Sequence, residues 1–166
     1  MGTTEDIRVK LAKPEDCERL ACMSAELWPD ASEKEHLREV VPKVEGRSTR
    51  ILPVAVFVAE HSPTGPDANS GSRELIGFIE VGLRSHADGC DGSHEVGYIE
   101  GWFVAQSWRG RGIGRKLVAA AEDWARTHGC TEMASDTWID NTTSQLAHEA
   151  MGFDVVDRCV NYRKSL

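Results

Sequence analysis

One run constrains this chain more than any other. From Tyr98 to Val104 it reads Tyr-Ile-Glu-Gly-Trp-Phe-Val, an apolar and aromatic strand. After Ala105-Gln106-Ser107-Trp108 come Arg109-Gly110-Arg111-Gly112-Ile113-Gly114-Arg115-Lys116. A helical pattern then places Ile113, Leu117, Val118, Ala121, Trp124 and Ala125 on one face, with His128-Gly129 as its stop. Strand, glycine-rich turn and helix N-terminus together make a cradle for phosphate. The first N–H groups of the helix have no intrachain acceptor, and the helix dipole favours an anion there. Glycines let the backbone approach the phosphate oxygens without a Cβ in the way.

The remainder of the chain builds a sheet around this run. Asp6 to Leu11 alternates, with Ile7, Val9 and Leu11 opposite Arg8 and Lys10. Lys13-Pro14-Glu15-Asp16 starts a helix whose apolar face is Cys17, Leu20, Ala21, Met23 and Leu27, stopped at Trp28-Pro29. A second helix is expected from about Ser32 to Val44, with Leu37, Val40 and Val41 inward and a break near its end at Pro42. Ile51 to Glu60 and Glu74 to Leu83 read as a strand pair. In the second of these, Ile76, Phe78, Glu80 and Gly82 fall on one face and Leu75, Gly77, Ile79, Val81 and Leu83 on the other. Ser62 to Ser72 is rich in Pro, Gly, Ser and Asn and reads as an exposed hairpin loop; Ser85 to Glu95 is a second polar loop. Cys130 to Thr137 reads as a short strand, and Asp140-Asn141-Thr142 caps a helix that ends at Gly152-Phe153. Val155 to Arg163 reads as a terminal strand. The order β-α-α-β-β-β-α-β-α-β predicts one α/β domain over 1–166, a mixed sheet with helices on both faces.

Composition narrows the partners. No stretch of about 18 apolar residues occurs, so no membrane span is expected, and Met1 to Lys10 lacks an apolar signal region. Five cysteines without a CxxC pair read as free thiols in a reducing compartment, and six scattered histidines show no metal-binding spacing. No metal is expected. The net charge of −8 argues against nucleic acid and suits a cationic partner, although solubility alone accounts for it equally well.

The nucleotide-binding patterns fail at the glycine turn. GxxxxGK[ST] is absent, and Gly110, Gly112 and Gly114 make GxGxG rather than GxGxxG. What remains is Arg109-x-x-Gly112-x-Gly114 after an apolar strand. This resembles the acetyl-CoA pyrophosphate loop of the GNAT superfamily of N-acetyltransferases. The later Asn141 and Gly152-Phe153, and the order of elements, are similar to that family across essentially the whole chain. A closer resemblance, to bacterial aminoglycoside 6′-N-acetyltransferases, lies in Leu27-Trp28-Pro29-Asp30, Tyr98-Ile99-Glu100-Gly101, Glu132-Met133-Ala134-Ser135-Asp136-Thr137, His148 with Gly152-Phe153, and Tyr162-Arg163-Lys164.

The resemblance implies a GNAT fold: a mostly antiparallel mixed sheet, splayed into a V at the cofactor site. It implies acetyl-CoA as the donor, aminoglycosides as polycationic acceptors, a homodimer, a cytoplasmic bacterial enzyme, and direct transfer in a ternary complex. Cofactor binding is then expected from Trp102, Phe103 and Val104 through strand N–H groups, from Arg109, Gly110, Arg111, Gly112, Ile113, Gly114 and Arg115, and from Asn141. Gly101 makes a bulge in that strand plausible. Glu100, an acid inside an apolar strand, is the main candidate to neutralise the acceptor ammonium, with a solvated strand face as the competing reading. Asp136 and Asp157 are further candidates for substrate ammonium, with Asp136 able to relay a proton; Asp136 as a simple turn acid is the competing reading. Trp28 is either a sugar-stacking wall or a helix-end core residue, and Asp30, Asp88 and Asp91 are candidates for negative potential at the mouth. His148 stands where many GNAT enzymes carry a Tyr that protonates the leaving thiolate. It is either that acid or a packing residue touching the cofactor, with Tyr162, Tyr98 or water as other acids. A GNAT enzyme for another small amine or a protein N-terminus, and a non-catalytic acyl-CoA-binding domain, are the competing functions.

Overall fold

The computed structural model describes residues 6–63 and 73–166. The expected Ser62–Ser72 loop falls largely outside them. Strand β1 (Asp6–Leu11) is followed by a single 3-10 turn at Pro14–Asp16 and by α1 (Cys17–Leu27) and α2 (Glu33–Val44). Strands β2 (Val54–Ser62), β3 (Glu74–Arg84) and β4 (Val96–Val104) form a meander. Helix α3 (Ile113–Thr127), the short β5 (Met133–Ser135) and α4 (Thr142–Ala150) complete the order. The sheet runs β1-β2-β3-β4-β5, antiparallel throughout except for the parallel β4–β5 pair.

Local signals set most boundaries. Ser32 and Glu35 form a reciprocal capping box at the start of α2, worth about 1 kcal/mol. The helix runs on through Pro42 for two residues and ends at Val44, near where the break was expected. Leu20, Met23, Val40, Val56, Val58, Phe78 and Phe103 fuse α1 and α2 to one face of the sheet. Ile79, Val81, Ile99, Ile113, Leu117, Val118 and Ala121 fuse α3 to the other, with Met151 and Phe153 beside α4 packed against the same cluster. The two helical layers therefore clamp a sheet that is apolar on both faces.

Two features depart from simple alternation. Ala59 faces Gly77 while the adjacent Glu60 faces Leu75, so Ile76 is an extra residue on β3. That bulge sends Ile76 to the α3 side and leaves Leu75 on the α1–α2 side, reversing the expected faces of both. The second departure is the terminal strand expected over Val155 to Arg163, which does not form: residues 153–166 are non-regular, with Val155, Val156, Val160 and Tyr162 exposed. Strand-forming residues form a strand only where a neighbour accepts their backbone bonds, and this stretch pairs with no strand among the described residues. Val156 rests on Gly89, where a Cβ would fall 2.6 Å from the valine.

Candidate active site

The glycine turn leads from β4 into the N-terminus of α3, the local geometry that the sequence pattern predicts. Gly110 and Gly112 both have φ near +76°, yet an added Cβ would meet nothing within 4 Å at either, so their requirement is conformational and not steric. Gly112 caps α3 without a side-chain bond, and the Lys116 N–H donates back to its carbonyl at 3.2 Å. The N–H groups of Ile113, Gly114 and Arg115 at the first helical turn precede that bond and are the ones an anion can take. Arg109 Nε donates to the Val104 carbonyl at 2.9 Å, Arg115 donates to the Ala150 carbonyl at 3.2 Å, and the Arg111 guanidinium lies 4.8 Å from the Trp108 ring centroid. Each arginine is thereby oriented while its charge stays in solvent.

The V opens directly before this turn. β4 pairs with β5 only from Gly97 to Ile99, opposite Met133 to Ser135. From Glu100 to Val104 it pairs with no strand but β3 among the described residues, so one edge of backbone groups is open apart from the Val104 carbonyl that Arg109 takes. Glu80 faces Gly101 and Val81 faces Ile99, which makes Glu100 the extra residue of a bulge. Trp102 lines the α3 side, where a Cβ on Gly114 would come within 2.7 Å of its ring. The Trp102 Nε1–H is buried and has no acceptor among the described residues. A buried orphan donor costs about 1–3 kcal/mol, which a ligand acceptor in the V would recover. Phe103 points the other way, into the α1–α2 core, 6.0 Å from Phe78, and can offer only backbone to the cleft.

His148 reaches the V from α4. Its Nδ1–H donates to the Ser144 carbonyl at 2.7 Å, and its Nε2 faces the Ser135 Oγ at 2.9 Å. The ring stands edge-on to Trp102 and to Phe153. Asn141 caps α4, its Oδ1 accepting the Ser144 N–H at 3.1 Å.

On the opposite face lies an acidic set held by cations. Glu100 accepts from Arg84 NH2 at 2.7 Å and Nε at 3.2 Å, and from Arg50 at 2.7 Å. Burial pushes the Glu100 carboxyl up, but the two guanidiniums outweigh it and hold it below the usual glutamate range. Arg84 also stacks 3.3 Å over the Tyr98 ring. The Tyr98 hydroxyl donates to Asp136 Oδ1 at 2.6 Å, and burial followed by that carboxylate raises its pKa well above the usual tyrosine value. Trp28 packs at the end of α1, its ring on Gly101 and near Phe78 and His36, while the residue stays 37% exposed. Asp157 is not brought to this set; the bond it makes is local, to the Arg158 N–H. Asp88 and Asp91 stay on the exposed 85–95 loop beside His86 and His94.

Sequence reasoning missed Glu80, Lys43, Arg50, Arg84 and Ser135. Glu80 is 5% exposed, lies opposite Gly101 and is held by Lys43 Nζ at 2.8 Å. The signal for it was the one used for Glu100, an acid between apolar strand residues (Ile79 and Val81). Arg50 and Lys43 carried no such signal, because their partners are remote in sequence.

A cradle for phosphate, an open strand edge and an acid-lined face around one bulge are the parts an acyl-CoA-dependent amine acetyltransferase requires. The profile of the acetyltransferase (GNAT) family matches residues 18–153. The chain belongs to the GNAT family. Among its relatives is an aminoglycoside N(6′)-acetyltransferase type 1 of Klebsiella aerogenes, 42% identical over 144 residues that make up 87% of each chain. The Stenotrophomonas maltophilia enzyme of the same name is 36% identical, over 95% of this chain and 93% of the relative. In three dimensions, this GNAT fold is similar to AAC(6′)-Iy in complex with CoA, with a TM-score of 0.80 and 30% identity over 100% of this chain and 99% of the other. It is also similar to AAC(6′)-Iy bound to the bisubstrate analogue CoA-S-monomethyl-acetylneamine, with a TM-score of 0.77 and 31% identity over 97% and 99% of the two chains.

Proposed function

We propose that this GNAT enzyme transfers the acetyl group of acetyl-CoA to the 6′-amine of aminoglycosides, by direct attack with both substrates bound. The observation that carries this reading is the 42% identity to an aminoglycoside N(6′)-acetyltransferase over most of both chains. Acetyl-CoA supplies an activated thioester carbonyl. The N–H groups of Ile113, Gly114 and Arg115, flanked by Arg109, Gly110, Arg111 and Gly112, hold its phosphates. The open edge of β4 from Trp102 to Val104 orients the arm toward the bulge, and the orphan Trp102 Nε1–H is a further donor to it. Trp28 forms a wall for the sugar, while Asp136 and the Glu100–Arg84–Arg50 cluster set the potential met by the acceptor ammonium.

Asp136 takes the larger share of that charge. Its Oδ2 has no donor among the described residues, whereas Glu100 is matched by two guanidiniums. The enzyme works as a homodimer in the bacterial cytoplasm. Exposed Val155, Val156, Val160 and Tyr162 are a surface that a second copy would cover, and the free thiols suit a reducing compartment. Acetyl-CoA consumption with kanamycin, amikacin and spermidine tests the substrate. Turnover with the two drugs and little with spermidine is expected; the reverse order, or none with any amine despite acetyl-CoA binding, would overturn it. Light scattering at micromolar concentration checks the dimer.

A further inference from the structure

We propose that Ser135 is a catalytic residue: its hydroxyl, coupled to His148, carries the proton from the attacking nitrogen to the leaving sulfur. This rests on the acetyl-transfer reading above.

Ser135 is the last residue of β5 and sits where β5 parts from β4, opposite Ile99. It therefore occupies the apex of the V, at the inner end of the open edge that runs from Val104 back to Glu100. An arm entering from the α3 N-terminus along that edge ends at this apex. The hydroxyl faces two acceptors, His148 Nε2 at 2.9 Å and the Ile99 carbonyl at 3.4 Å. The shorter is the stronger.

The geometry assigns the state of His148. A carbonyl oxygen only accepts, so the 2.7 Å contact to Ser144 O requires a proton on Nδ1. Nε2 then carries a lone pair aimed at the Ser135 hydroxyl. This is the arrangement of a hydroxyl with its base, the base oriented in turn by a third group. Trp102 and Phe153 hold the ring edge-on from two sides, which restricts it to this orientation. Asp136, the next residue, belongs to the acceptor face through Tyr98, so β5 ends with one side chain serving each substrate.

The balance is closed. The acceptor ammonium first gives one proton to solvent; the free amine nitrogen then forms the C–N bond and becomes positive, and Ser135 Oγ accepts one of its protons while passing its own to His148 Nε2. The C–S bond then breaks with its electron pair on sulfur. His148 Nε2 returns its proton to Ser135 Oγ, which protonates the sulfur. Ser135 and neutral His148 are regenerated, the products are amide and thiol, and no further reactant enters. One hydroxyl can serve both atoms because nitrogen and sulfur are bonded to the same carbon.

The test pairs kinetics with a readout on the free protein. In 15N-labelled enzyme, His148 should be the Nδ1–H tautomer, and Ser135→Ala should shift its Nε2 resonance while leaving Nδ1 protonated. Ser135→Ala should lower kcat about a hundredfold, the range of general acid–base catalysis, with acetyl-CoA affinity by calorimetry within about twofold of wild type. Ser135→Thr keeps the hydroxyl and should recover to within about tenfold of wild type. If the alanine variant does not fold, Ser135→Val, which matches threonine in shape without the hydroxyl, takes its place and should turn over about tenfold or more slowly than Ser135→Thr. An Nε2–H tautomer in wild type, or kcat within about threefold in Ser135→Ala, would overturn the proposal. Wild-type inactivity toward every aminoglycoside would instead overturn the substrate reading, and the histidine spectrum would still decide for or against the pair.

Discussion

Tyr98 on β4 donates its hydroxyl to Asp136 at the end of β5 over 2.6 Å, and the same ring carries the Arg84 guanidinium at 3.3 Å. One aromatic side chain thus ties Asp136 to the cation that holds Glu100. Tyr98→Phe keeps the stacking surface and removes the donor. A hydrogen bond to a charged acceptor is worth about 1.5–3 kcal/mol, less at the exposed Asp136. The expected loss in kcat/KM for the aminoglycoside is about tenfold, with acetyl-CoA affinity unchanged by calorimetry. An equal loss in acetyl-CoA affinity would place Tyr98 on the donor side.

Asp136→Ala removes the carboxylate itself. Turnover should fall by about tenfold or more, while acetyl-CoA affinity stays within about twofold. Steady-state kinetics with kanamycin reads the first and calorimetry the second. Wild-type turnover would remove Asp136 from the site.

The glycines of the turn should fail in different ways. Gly114→Ala drives a Cβ to 2.7 Å from the Trp102 ring and should cost about 1–3 kcal/mol by overpacking. Gly112→Ala meets no atom but must hold φ near +76°, at about 1–2 kcal/mol. Gly112→Asn, better tolerated in that conformation, should lose less than Gly112→Ala. Urea denaturation measures all three, and equal destabilisation by Gly112→Ala and Gly112→Asn would refute the conformational account.

Glu100 links stability to pH. Its folded carboxyl titrates below the ordinary value of 4.5, because Arg84 and Arg50 outweigh its burial. The stabilisation is therefore complete above that ordinary value and is lost as pH falls through the lowered folded value. Glu100→Gln leaves two guanidiniums unmatched and should cost about 2 kcal/mol near neutrality, discounted from the buried-pair range because both arginines are partly exposed. The gap to wild type should narrow as pH is lowered from about 7 toward 3. A gap constant across denaturation curves at those pH values would show that the pairs contribute nothing.

Much of this arrangement is local and was readable. The cradle from Arg109 to Gly114 depends on neighbours in sequence: glycines at positive φ, then a helix start. The same is true of the Ser32–Glu35 cap and of the apolar stripe of α3. The bulge beside Gly101 was expected from the glycine, and the splay of the sheet was implied by family resemblance alone. The terminal strand was the clear miss, since Val155 to Arg163 carries the residues of a strand without a neighbour to pair with.

Local order was decided by side-chain size, backbone freedom and apolar spacing, which act over a few residues and are written in the chain itself. Partnership was decided by tertiary packing. Glu100 was legible as an unusual acid, but that Arg50 and Arg84 neutralise it follows only when β3, β4 and the segment before β2 are brought together. Likewise Ser135 became chemically distinctive only when α4 laid His148 across the end of β5. Charge pairs and proton pathways act through space at hydrogen-bond distances, so their members can be any distance apart in sequence.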